Sequence, residues 1–185
     1  MGITRRSFVA GLAAGLSIAG ASPVAAVGLP AGPDLEAAFA SMTALTEGRG
    51  RGVVHILYAP WCHASPSIYR ESRKALSWVT LRWIPFSGGQ PEGRESVEVL
   101  LRNMDPALIP STFTTIRPLG DPTPTPLCDR QDAEVERLVA PLAIRDTGRV
   151  LRTPTLAYRF RDGRVRVIPG GIGLEEFRKI AELAS

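Results

Sequence analysis

The sequence predicts an α/β fold in which a β-α-β unit is followed by a helical insertion and then a closing α-β-β-α unit. Three observations carry that prediction. Val53 to Tyr58 is a near-continuous apolar run with β-branched residues, the pattern of a central strand buried on both faces. Ser65-Pro66 then reads as an N-cap followed by Pro at the first helical position, and Trp78 to Phe86 alternates Val79, Leu81 and Trp83 against Thr80 and Arg82. Further on, Thr155–Phe160 and Arg164–Ile168 flank the turn Arg161-Asp162-Gly163, which makes a hairpin.

The 185 residues amount to one domain, or one domain with a small insertion. Residues 1–26 read as an export signal and are set apart from the fold. Thr4-Arg5-Arg6-Ser7-Phe8 is a twin-arginine n-region, Val9 to Ala21 an uncharged Ala/Gly-rich stretch, and Val24-Ala25-Ala26 supplies small residues for cleavage. The competing reading is an uncleaved anchor, since Ser7 to Gly32 carries no charge; its Gly and Ala content and Pro23 argue against that. Export through this twin-arginine-like signal implies a periplasmic or other exported location, with membrane contact only before cleavage. Loss of Arg5 and Arg6 lowers the formal charge from +4 to +2. No basic stripe interleaved with aromatics appears, which argues against nucleic acid as a partner.

From residue 34 the elements follow in order. Leu29 to Pro33 is a Pro/Gly linker. Asp34 caps a helix carrying Leu35, Ala38, Phe39, Met42 and Leu45 on one stripe, with Gly48 as its stop. After Val53–Tyr58, a crossover helix runs from Pro66 to about Leu76 and returns through Val79–Ile84. The insertion, about 87–127, holds helical spacing from Glu95 to Met104, a second cap at Asp105-Pro106, and a stiff loop from Pro118 to Pro126. Asp132 to Ile144 is helical again. After the hairpin, Pro169-Gly170-Gly171 breaks the chain and Leu174 to Leu183 forms the closing helix. A sheet of about four strands results, its first pair parallel and its last pair antiparallel.

Two short segments, about ninety residues apart, carry the chemistry: Tyr58-Ala59-Pro60-Trp61-Cys62-His63-Ala64-Ser65 and Arg152-Thr153-Pro154-Thr155. A tryptophan-flanked cysteine after a buried strand, with Thr-Pro before a late strand, resembles the thioredoxin superfamily. The order of elements over about residues 34–184 is most similar to its periplasmic disulfide isomerase and thioredoxin-like members. The resemblance implies that Cys62 is a nucleophile for thiol–disulfide exchange and that Trp61 flanks it. It further implies that Pro154 is cis against the cysteine, and that the Thr153 backbone pairs with an incoming peptide. Without the resemblance, Pro154 reads as an ordinary trans Pro at a strand start, and Trp61 as packing.

Departures from that pattern are equally specific. Ser65 stands where the resolving cysteine of a Cys-x-x-Cys motif would be, so the step that releases a mixed disulfide within the chain is missing. Ile56 occupies the position where many thioredoxins place a buried Asp. His63, next to Cys62, either stabilises a thiolate when protonated or faces solvent at the rim of the site. Cys128 has three readings: an unreactive thiol, a resolving thiol for Cys62, or half of a static Cys62–Cys128 bond, which would stabilise by roughly 4 kcal/mol.

Cys62, His63, His55 and Cys128 do not form a metal site by spacing, because no compact ligand pair is present and His55 falls in the buried strand. Gly170-Gly171-Ile172-Gly173 follows an antiparallel hairpin, which is the wrong context for a phosphate loop. No cofactor is therefore predicted. The expected partners are protein thiols or disulfides, or a small thiol reductant, and the expected state is a monomer. The alternative function is a redox-inactive binding or chaperone-like module built on the same groove, or a structural domain stapled through Cys62–Cys128.

Overall fold

The computed structural model describes residues 28–114, 124–170 and 173–184. The segment read as an export signal, residues 1–26, lies outside them, as does most of the proline-rich stretch from Pro118 to Pro126. One six-stranded sheet runs through the molecule in the order β1-β6-β5-β3-β4-β2. Its strands are β1 Leu29–Ala31, β2 Leu45–Glu47, β3 Gly52–Tyr58, β4 Val79–Pro85, β5 Thr155–Arg159 and β6 Val165–Pro169. Pair β3/β4 is parallel, joined by the crossover helix α2 Ser65–Arg73, and β5 is antiparallel to both β3 and β6.

The two outer strands were not anticipated. Leu29–Ala31, read as a linker, pairs antiparallel with Val165–Val167 at one edge, where Pro30 does not break an inner ladder. Leu45–Glu47 pairs antiparallel with Leu81–Trp83 at the other edge. Helix α1 accordingly spans only Pro33–Ser41, with Gly32 rather than Asp34 as its N-cap. Met42 and Leu45 are buried as the helical stripe required, but the chain turns extended at Met42. A spacing of three or four residues does not distinguish one more helical turn from a sharp return into a strand.

Between β4 and β5 the described residues are mostly helical. Helix α3 spans Pro91–Asn103, starting four residues before Glu95 because Pro91 occupies its first turn and Gln90 its N-cap. Asp105 caps the next turn through Ala107 N (2.9 Å), leading through a 3-10 turn, Pro106–Leu108, into the short α4, Ile109–Thr112. Helix α5, Pro126–Glu134, begins six residues before Asp132, which places Cys128 inside a helix and not ahead of one. A π-helical stretch, Val135–Val139, continues into α6, Ala140–Thr147, and α7 Leu174–Ala184 closes the chain. Among the described residues, no helix is long and apolar enough to cross a membrane.

The alternation of β3 and β5 divides the core between two faces. Val54, Ile56, Tyr58, Leu156 and Tyr158 meet Ile68 and Tyr69 of α2 and Phe177 and Ile180 of α7. Leu57, Ala157, Ile84 and Val167 meet Leu35 and Phe39 of α1, with Val135, Val139 and Ala143. Each of the larger aliphatic and phenylalanine side chains among them contributes roughly 2 kcal/mol by leaving water. Trp83 is fully buried and rests edge-on against Tyr58, ring centroids 5.5 Å apart.

His55 sits on the α1 face of β3, only 2% exposed, stacked on Phe39. Arg82 Nη1 lies 3.3 Å from Nδ1, and Glu36 Oε1 lies 3.7 Å from Nε2. Burial, then the charge of Arg82, pull the imidazole down to about 4, against the opposite pull of Glu36. The unfolded chain titrates near 6.5. Between about pH 6.5 and 4 the unfolded state therefore takes up a proton that the fold refuses, and stability falls as pH falls. Denaturant titrations across that window are expected to lose about 3 kcal/mol in the wild type, and His55→Gln should flatten the slope. Equal slopes in the two proteins would refute this assignment.

Candidate functional site

The turn between β3 and α2 holds Trp61, Cys62 and His63. Tyr58 ends the strand, Cys62 N donates to Ala59 O (3.1 Å), and Ser65 N donates to Cys62 O (2.9 Å), so the turn is closed by its own backbone. The antiparallel register sets Leu57 opposite Thr155. Residues just before β5 therefore lie beside residues just after β3, despite the distance between them in sequence. The Thr153–Pro154 peptide bond is cis. Pro154 is buried, its carbonyl accepts from Gly170 N at 2.7 Å, and Thr155 Oγ1 donates to Arg152 O. Across this junction the Cys62 thiol donates to Thr153 O at 3.1 Å.

Trp61 is fixed from the other side. Its Nε1 donates to Ser87 O at 2.7 Å, while 37% of the residue stays exposed. Gly93, in the first turn of α3, lets the indole approach: a Cβ there would lie 2.8 Å from Trp61 Cδ1. The Ser87 turn is in turn held by Asp132 of α5. Asp132 accepts from Ser87 N at 3.0 Å, from Gly89 N at 3.2 Å, and from Ser87 Oγ. Gly88 and Gly89 both have positive φ, 59° and 72°, which suits a turn that only glycine adopts freely.

Trp61, Cys62 and Thr153 line a cleft of about 400 Å³ together with Phe86, Gln90, Glu136, Leu151 and Arg152. Cys62 is half-buried and His63 is exposed. Ser65 is not the N-cap: it is the first residue of α2, fully buried, with an Oγ that has no hydrogen-bond partner among the described residues. That polar atom sits unpaired one helical turn after Cys62.

Cys128 belongs to a different environment. It is fully buried against Val97, Leu101 and Leu127. Its backbone N donates to Glu98 Oε2 at 3.0 Å, as does Leu127 N at 2.8 Å. Burial pushes the thiol up to about 11, with the Ser87 hydroxyl pulling weakly the other way. Cys62 and Cys128 are both free thiols, so the Cys62–Cys128 staple is not what the structure holds. Among the described residues no three His, Cys, Asp or Glu side chains are grouped to hold a metal.

The structure thus brings Trp61, Cys62, Thr153 and Pro154 together and leaves His63 at the rim. Sequence reasoning missed Ser87, Asp132, Gln90 and Glu136. The only local signal for the first two was the Gly88-Gly89 turn after β4, which says nothing about Asp132.

No protein-family model matches the chain, and no curated protein does. Solved structures with the same fold do match. A periplasmic thioredoxin-like protein from Salmonella enterica serovar Typhimurium is 12% identical, covers 80% of this chain and 94% of its own, and gives a TM-score of 0.56. The catalytic domain of Proteus mirabilis ScsC is 13% identical, with 80% and 92% covered and a TM-score of 0.52. Pseudomonas aeruginosa DsbA2 is 12% identical, with 75% and 92% covered and a TM-score of 0.52. The fold is therefore thioredoxin-like.

Removing the Asp132 carboxylate should loosen the Ser87 turn and with it Trp61. Asp132→Ala is expected to lose about 2 kcal/mol in denaturant unfolding and to raise quenching of Trp61 fluorescence, read as the difference from a Trp61→Phe background. Unchanged quenching would show that the turn does not position the indole.

Proposed function

We propose that this chain is an exported thiol–disulfide exchange protein that works through the single nucleophile Cys62. The observation that carries the reading is the contact between the Cys62 thiol and Thr153 O, 3.1 Å, at the wall of an open cleft. A half-buried cysteine is reachable by solvent and by a substrate sulfur, and thiol–disulfide exchange requires such access. Trp61 and the Thr153-Pro154 turn form the surface against which an extended peptide would lie. His63 is free to meet substrate from the solvent side. The twin-arginine-like segment at Arg5-Arg6 supports an exported, periplasmic setting, in keeping with the fold.

In the proposed reaction the Cys62 sulfur, as thiolate, attacks one sulfur of a substrate disulfide. A Cys62–substrate S–S bond forms, the substrate S–S bond breaks, and the second substrate sulfur leaves as a thiolate that takes up a proton. Release needs a second thiol. Ser65 has none, and Cys128 is buried and held protonated at neutral pH by desolvation. An outside thiol, from a protein or a small reductant, therefore attacks the substrate sulfur of the mixed disulfide as its thiolate. A new disulfide with the substrate forms, the Cys62–substrate S–S bond breaks, and Cys62 leaves as a thiolate. The reading takes the protein as a monomer with protein thiols or disulfides as partners.

A redox-inactive binding module is the second reading, favoured by the exposed Trp61 face and by the missing second thiol. Ser65→Cys discriminates between them, because it places a thiol where an unpartnered buried Oγ now sits. Under the exchange reading, Ser65→Cys gains disulfide-reductase turnover with a dithiol donor, Cys128→Ser leaves adduct lifetime unchanged, and Cys62→Ser forms no adduct. Failure of Ser65→Cys to shorten the lifetime of the Cys62 mixed disulfide would overturn the proposed division of labour.

A further inference from the structure

At the opposite end of the sheet from Cys62 lies a larger pocket, about 810 Å³, walled by Arg49, Arg51, Arg161, Arg178, Trp78 and Glu182. It opens where the parallel strands begin: Arg51 directly precedes β3 and Trp78 directly precedes β4. Cys62 follows the far end of β3, so about 20 Å of strand separates the two places. Nothing in the exchange chemistry uses this pocket.

Its electrostatics are one-sided. Arg49, Arg51 and Arg161 have no carboxylate within ion-pairing distance among the described residues. Arg178 pairs with Glu175 at 3.3 Å and lies over the Trp78 ring, 6.0 Å from its centroid. Among the described residues, Glu182 is the one carboxylate lining the pocket and Glu175 reaches only Arg178, against four guanidinium groups. Like charges gathered around one concavity repel unless an anion sits among them, and arginine forks match phosphate and carboxylate geometry.

The mouth is also rigid. Gly50 packs so closely on the Trp78 backbone that a Cβ there would lie 1.9 Å from the Trp78 carbonyl carbon. Arg49 N donates to Leu76 O at 3.2 Å, and Thr80 Oγ1 donates to Gly50 O at 2.8 Å. The two arginines flanking Gly50 are therefore carried on a backbone pinned at both sides, which lowers the entropy cost of ordering them on a ligand. Trp78, 42% exposed, gives this charged rim a flat apolar wall. The volume lies within the usual range for small-molecule sites.

We infer that this pocket is a second binding site, for a small organic polyanion that joins clustered phosphate or carboxylate charge to a planar ring. The arginines take the charge and Trp78 takes the ring. The full chain is titrated with three probes, adenosine triphosphate, tripolyphosphate and adenosine, by calorimetry and by Trp78 fluorescence. The triphosphate nucleotide is expected to bind with Kd below about 100 μM and to weaken as salt is raised. Tripolyphosphate should bind at least tenfold more weakly and adenosine not measurably. Arg49→Ala/Arg51→Ala, at exposed positions that leave the core untouched, should weaken nucleotide binding at least tenfold, with adduct formation at Cys62 unchanged. Absence of nucleotide binding at millimolar concentration, equal binding of nucleotide and tripolyphosphate, or less than a tenfold loss in the double variant would each overturn the inference.

Discussion

The pairing of β3 with β5 is the constraint on which the site depends. Leu57 opposite Thr155 sets the chain segments that follow and precede those strands side by side, and only that register places Thr153 O at 3.1 Å from the Cys62 sulfur. A slip of one residue would carry every β5 side chain to the other face and shift the carbonyl by about 3.3 Å. The register is protected by the core itself. Leu156 and Tyr158 pack toward α2 and α7 while Ala157 packs toward α1, so a slipped strand would bury Arg159.

Two carboxylates from the helical region do the remaining positioning. Glu98, nearly buried, accepts from the Leu127 and Cys128 backbone and from Arg102 at 2.8 Å, which ties the start of α5 to α3. Burial pulls its carboxyl upward, but those donors outweigh burial and hold it below the ordinary range. Asp132, further along α5, then holds the Ser87 turn on which Trp61 depends. The helical region between β4 and β5 is thus the structural support of the cleft wall, and among its described residues no buried side-chain nitrogen or oxygen lacks a partner.

The inner four strands and most helices were legible because their signals are periodic and local. Val53–Tyr58 and the 155–168 hairpin alternate or run apolar over lengths that only strands fit. The edge strands were not legible, since three residues such as Leu29–Ala31 have no period to detect and become strands only through their neighbours. At the site, Cys62, Trp61 and the Thr153-Pro154 turn were visible as sequence text. The Ser87–Asp132 support was not, because a hydrogen bond spanning 45 residues leaves no trace in spacing. Ser65 was visible as a residue and misread as a cap. Its hydroxyl is buried instead of turned to the helix end, because Ala64 already occupies the N-cap position.

These features together describe a cysteine that is presented to a cleft but deprived of a partner within the chain. Ser65 removes the near thiol, and burial keeps the far one, Cys128, protonated and enclosed. Intact-mass measurement under non-reducing conditions, after incubation with glutathione disulfide, tests this directly. The account predicts one stable glutathione adduct per chain, mapped to Cys62, with Cys128 unmodified. A chain that instead loses two hydrogens by forming a Cys62–Cys128 bond, or one that forms no adduct at all, would contradict it.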